Sequence, residues 1–157
     1  MSKVILTLSR HYNISTHILS HAEFNSLGSD YIHYNSVYFV DKGIYYIYLR
    51  EISNNWKTLQ DFTHELGHFM ISRYGLGVMN GTYQGEFYAE YFSRRCRGMS
   101  IEEAVKGAKF YTSATRERNL AVYLNNYIKF KNKNAFKRYL ERNVKVVLKI
   151  ITQCSTY

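Results

Sequence analysis

The chain has 157 residues, 46% of them hydrophobic, and its 21 Lys+Arg against 12 Asp+Glu give a formal net charge of +9. This length and composition fit one folded domain with a modest core and argue against a disordered chain. No stretch approaches the roughly 20 apolar residues that span a bilayer, and after the apolar start at residues 1–8, Arg10, His11 and Asn13 follow too soon for a secretory signal.

The two cysteines, Cys96 and Cys154, are too few for a disulfide framework, so a reducing, cytoplasmic setting is expected. The charge is unevenly placed. Residues 1–93 carry 6 Lys+Arg against 8 Asp+Glu, a net −2, whereas residues 94–157 carry 15 against 4, a net +11. A basic C-terminal part of this kind attracts nucleic acid or an acidic protein through long-range electrostatics, although solvated helix faces produce the same imbalance.

The first thirty residues give no decisive secondary-structure signal. His11, His17 and His21 fall there, the last two at helical spacing, but with only Glu23 nearby they read as surface histidines rather than a second metal site. Residues 37–40 and 44–49 are rich in β-branched and aromatic side chains and flank Asp41-Lys42-Gly43, which predicts a β-hairpin. The strand preceding the next helix is expected to offer its edge to an extended substrate. A helix follows over residues 55–74, amphipathic through Phe62, Leu66 and Phe69 with Met70 beside them.

In the middle of that helix lies His64-Glu65-Leu66-Gly67-His68. Side chains four apart on a helix stand one above the other, so both imidazoles can reach one metal ion. Glu65 is turned about 100° from His64 and can face a metal-bound water. The chemistry this spacing suggests is zinc-assisted hydrolysis, in which the metal lowers the pKa of its water to about 7 and the glutamate accepts the proton.

A catalytic zinc takes three protein ligands. His68 is the last histidine and Asp61 the last aspartate, so a downstream ligand must be a glutamate or, less plausibly, Cys96. The downstream glutamates are Glu86, Glu90, Glu102, Glu103, Glu117 and Glu141. Glu86 and Glu90 share one face of a helix expected over residues 82–97, where one can bind the metal while the other accepts a hydrogen bond from a ligand histidine. Ala89 is small enough to let that helix approach the first closely.

Phe62-Thr63-His64-Glu65-Leu66-Gly67-His68, followed by Glu86-x-x-Ala89-x-x-Phe92, resembles the ImmA/IrrE family of gluzincin metallopeptidases. The resemblance spans roughly residues 44–95. It implies His64, His68 and Glu86 as zinc ligands, Glu65 as catalytic base, and Glu90 as the acidic residue supporting a ligand. It also implies an intracellular enzyme, often of phage or mobile-element context, several of whose relatives cleave a partner repressor. The sequence departs from the family pattern at two positions: Thr63 adjoins His64 directly, without the usual intervening alanine, and Ser93 replaces the alanine that usually follows the phenylalanine.

Beyond these motifs, Ser100-Ile101-Glu102-Glu103 resembles a capping box opening another helix. Two further basic amphipathic helices are expected over residues 114–129 and 134–150, and Lys131 and Lys133 between them, with Lys137 and Arg138 on the second, are expected to serve partner recognition and not chemistry. A small antiparallel sheet against several helices makes the expected fold α+β, one domain over residues 1–157. Two functions compete. The first is a zinc endopeptidase with a specific intracellular protein substrate, assisted by an oxyanion-stabilising group such as Tyr74, Tyr83 or Tyr88. The second is a zinc-containing regulatory module that docks DNA or an acidic protein through its basic helices.

Overall fold

The computed structural model describes residues 1–76, 83–118 and 133–155. Ser2 caps the first helix, α1 (Lys3–Tyr12), by accepting the Ile5 N–H at 3.3 Å, and Asn13 ends it in the left-handed region at φ 56°. Strand β1 (Ser15–Leu19), helix α2 (His21–Asn25) and a 3₁₀ turn (Ser29–His33) lead into β2 (Ser36–Asp41) and β3 (Ile44–Arg50). The predicted hairpin is therefore present. Its tight turn places Lys42 and Gly43 at φ 50° and 76°, the positive values that a two-residue hairpin connection requires.

The α+β class holds, but the sheet is mixed rather than wholly antiparallel. Its order is β1-β3-β2, with β2 antiparallel and β1 parallel to β3. Strand β3 is thus central and offers no edge, which corrects the expectation that the strand before the motif helix receives the substrate. Among the described residues the open edges belong to β1 and β2.

Helix α3 (Asn55–Ile71) starts at Asn54, whose side chain accepts the Lys57 N–H at 3.1 Å. It ends three residues earlier than expected and passes into a π-type turn (Ser72–Leu76) around Gly75 at φ 100°. One face of α3 buries Phe62, Leu66, Phe69 and Met70, all fully inaccessible to solvent. Tyr38, Ile47 and Leu49 line the sheet face turned toward it, and Tyr38 and Tyr45 meet Phe69 edge-on at 6.3 and 5.1 Å. Each such side chain contributes about 1.5–3 kcal/mol by leaving water.

Against another side of α3 packs α4 (Tyr83–Cys96), followed by α5 (Ile101–Arg118) and α6 (Lys133–Ser155). Ser100 caps α5 by accepting the Glu103 N–H at 3.1 Å. Helix α5 runs continuously through residue 114, so no separate helix starts there, and residues 119–129 lie outside those described. Helix α6 matches the last expected helix and buries Phe136, Leu140, Val144 and Val147 against α1 and α4. No helix among the described residues is long and apolar enough to cross a membrane.

Candidate metal centre

Helices α3 and α4 cross at close range. A Cβ added at Gly67 would lie 2.6 Å from Ala89 Cα and 2.8 Å from its carbonyl oxygen, so only glycine lets the two backbones come this near. That crossing sets the motif histidines opposite the glutamates of α4. His64 and His68 stand one turn apart with ring centroids at 5.1 Å. Glu86 reaches both: Oε2 is 3.1 Å from His64 Nε2, and Oε1 is 3.2 Å from His68 Nε2.

One ligand atom from each of His64, His68 and Glu86 lies within 4.8 Å of the others, the single such group among the described residues. Two imidazole nitrogens and a carboxylate oxygen make the donor set of a catalytic zinc with one position left for water. His64 Nδ1 is taken by Glu90 Oε2 at 2.8 Å, so Nε2 is the nitrogen turned toward the cluster, the arrangement a metal-ligating histidine needs. His68 Nδ1 is buried with no hydrogen-bond partner among the described residues. The residues present therefore fit a zinc ion.

The chain matches no family model, no curated protein and no solved structure.

The electrostatics follow from burial and pairing. Burial opposes the charged form of His64, yet hydrogen bonds to Glu86 and Glu90 outweigh it and hold the imidazolium well above its ordinary range. Burial likewise pushes Glu86 up, but the charge of His68 and the hydrogen bonds from both histidines bring it well below the usual carboxylate range. Glu90 is lowered in the same way, against burial, by His64 and then by Arg94 and Arg97.

Glu65 is buried on α3, and its Oε1 accepts a hydrogen bond from Ser36 Oγ at 2.8 Å. Ser36 is the first residue of the edge strand β2, so the start of an open edge lies beside the carboxylate. Tyr111 of α5 brings its ring to 5.5 Å from the His64 ring. Burial, opposed by His64 and reinforced by Glu86, Glu90 and Glu65, pushes the Tyr111 phenol up to about 12, so it stays protonated at neutral pH.

Of the tyrosines named from the sequence, neither Tyr74 nor Tyr88 takes this place. Tyr74 packs on Phe136 and Tyr139 at 5.1 and 5.0 Å, Tyr88 is buried against Phe136, and the side chain of Tyr83 lies outside the described residues. Ser36 and Tyr111 had no motif to announce them. Of the other candidate ligands, Cys96 is buried in the core, Glu102 and Glu103 are exposed at the start of α5, and Glu141 pairs with Arg95 at 2.8 Å. The side chain of Glu117 lies outside the described residues. His11, His17 and His21 are exposed and do not gather around a common point.

The two departures from the family pattern face each other. Thr63 Oγ1 and Ser93 Oγ are 2.7 Å apart, fully buried between α3 and α4.

Proposed function

We propose that the protein is a zinc-dependent endopeptidase that hydrolyses a peptide bond in a specific intracellular protein, such as a repressor-type regulator. The observation that carries this reading is the convergence of His64 Nε2 and His68 Nε2 on Glu86, with the buried carboxylate of Glu65 on the same helix. The likeness of the two motifs to the ImmA/IrrE family points the same way.

In this reading His64, His68 and Glu86 hold the zinc. The bound ion supplies Lewis acidity toward the peptide carbonyl and lowers the pKa of its water to about 7. Glu65 takes the proton from the attacking water and passes it to the amine nitrogen as the C–N bond breaks. Ser36 occupies Glu65 Oε1, so Oε2 is the oxygen that moves the proton. Glu90 orients His64 through Nδ1. The protonated phenol of Tyr111, set against His64, donates a hydrogen bond to the carbonyl oxygen as it gains charge. An extended substrate pairing with the open edge of β2 runs past Ser36 and hence past the base.

A second reading is a zinc-containing regulatory module that binds DNA or an acidic protein. It is favoured by α6, where Lys137, Arg138, Arg142, Lys145 and Lys149 are all exposed. Glu65→Gln separates the two. Under the peptidase reading the variant binds zinc like the wild type, while one cleaved protein found in cells expressing wild type disappears. Equal cleavage patterns in the two strains would sink the peptidase reading.

A further inference from the structure

Glu90 supports His64 with one oxygen only, and its other oxygen is itself held. Oε2 sits 2.8 Å from His64 Nδ1, while Oε1 accepts from Arg94 Nε at 2.9 Å. Arg94 lies four residues after Glu90 on the same helix, the spacing at which such a pair meets. Arg97 Nη2 lies farther from the same oxygen, at 3.6 Å, and its Nε donates instead to Ser93 O at 3.4 Å.

The seat of Arg94 is made by the neighbouring helix. A Cβ at Gly107 of α5 would lie 2.7 Å from Arg94 Cζ and 2.9 Å from Nε, closer than real Cβ atoms come to a neighbour. Any side chain at residue 107 must therefore push the guanidinium off the position from which it bonds Glu90. Contacts run in series from Gly107 on α5, through Arg94 and Glu90 on α4, to His64 on α3. A carboxylate can rotate about its last bond, and Arg94 removes that freedom by fixing Oε1 while Oε2 faces the histidine.

We propose that Arg94 is a positioning residue of the metal centre, seated by the missing side chain of Gly107 and acting on zinc affinity through Glu90 and His64. The inference rests on the metal-centre reading above, and the test keeps the two apart.

Zinc affinity is measured on the full chain by competition with a chromophoric chelator, alongside thermal unfolding of the metal-free protein. Arg94→Gln is expected to weaken zinc binding by roughly 10-fold, the lower end of the range for partners of metal ligands. Arg94→Lys should recover part of that loss. Gly107→Ala should also weaken zinc binding, yet leave the metal-free protein at least as heat-stable as wild type, because alanine favours helix over glycine. A purely structural role would move affinity and stability down together. In a Glu90→Gln background, adding Arg94→Gln should change the zinc affinity by less than about twofold, since residues acting in series do not add. Wild-type affinity in Arg94→Gln, or an undiminished Arg94 effect without the Glu90 carboxylate, overturns the proposal. Wild-type affinity in Gly107→Ala overturns the role of that seat. A wild-type chain that binds no zinc overturns the metal-centre reading itself, a result distinct from wild-type binding that ignores Arg94.

Discussion

Thr63 and Ser93 join their hydroxyls across the α3–α4 contact. Both hydroxyls also lie within reach of the Gln60 carbonyl, at 3.0 and 3.3 Å, so neither is stranded in the core. A neutral hydrogen bond of this kind contributes on the order of 1 kcal/mol net, while removing both partners together leaves no orphaned group. Thr63→Ala and Ser93→Ala are each expected to lower stability, with Thr63→Ala partly offset by the better helix propensity of alanine. The double variant should lose less than the sum of the two, a coupling of about 0.5 kcal/mol or more in a urea-unfolding cycle. Strict additivity would mean that the hydroxyl pair contributes nothing. Arg50 has a comparable local logic: its buried guanidinium has no carboxylate partner among the described residues and donates instead to the carbonyls of Tyr31 and Tyr34 and the side chain of Asn25, at 2.8–3.1 Å. It thereby ties α2 and the 3₁₀ turn to β3.

At the scale of elements, the metal-centre geometry depends on how closely α3 and α4 approach. Gly67→Ala inserts a methyl where the Ala89 backbone already stands at 2.6 Å, and backbone cannot swing aside as a side chain does. Overpacking of this sort costs about 1–3 kcal/mol. The substitution should lower the thermal midpoint and weaken zinc binding together, because Glu86 and Glu90 move away from the histidines with α4. Normal zinc affinity in that variant would show that the crossing tolerates more space than its contacts indicate. Helix α6 permits a separate test. Of the four lysines and arginines chosen from sequence as its recognition face, Lys137 and Arg138 are exposed on α6, Lys131 lies outside the described residues, and so does the side chain of Lys133. Arg138, Arg142, Lys145 and Lys149 follow one another at helical spacing along one exposed face. Changing these four to glutamine should reduce binding to duplex DNA at about 50 mM salt and flatten its salt dependence, with zinc content unchanged. Equal binding by both proteins would make the stripe a solvated surface.

For the whole molecule, the cluster couples folding, protons and metal. His64, held above the ordinary 6.5, stabilises the metal-free fold fully below that value and loses the contribution as pH rises through its raised pKa. Glu86 and Glu90, held below the ordinary 4.5, contribute above that value and lose the contribution as pH falls through their lowered pKa values. The cluster therefore supports the metal-free protein most strongly between the ordinary carboxylate and histidine ranges. Zinc reverses the histidine part, since the metal needs the nitrogen that the proton holds. Zinc affinity should tighten as pH rises from about 6 to 8, with proton release visible by calorimetry in buffers of different ionisation enthalpy. A pH-independent affinity would count against His64 as a ligand.

Elements whose signal is local were legible in the chain alone. Helix periodicity placed His64, Glu65 and His68 on α3, turn chemistry at Lys42-Gly43 placed the hairpin, and spacing set Glu86 and Glu90 on one helix face. Even the approach of Ala89 to the motif helix was legible, because a small residue announces a close contact. Tertiary structure decided the rest. Parallel pairing of β1 with β3 joins segments about thirty residues apart, and no local pattern states it, so the open edge fell to β2 and not to β3. Ser36, Tyr111 and the Gly107–Arg94 seat belong to elements whose own sequences are ordinary; their roles arise only where β2 and α5 dock against α3 and α4. The pairing of Thr63 with Ser93 was hidden for the same reason: each reads as a small polar residue until the helix crossing sets their hydroxyls 2.7 Å apart.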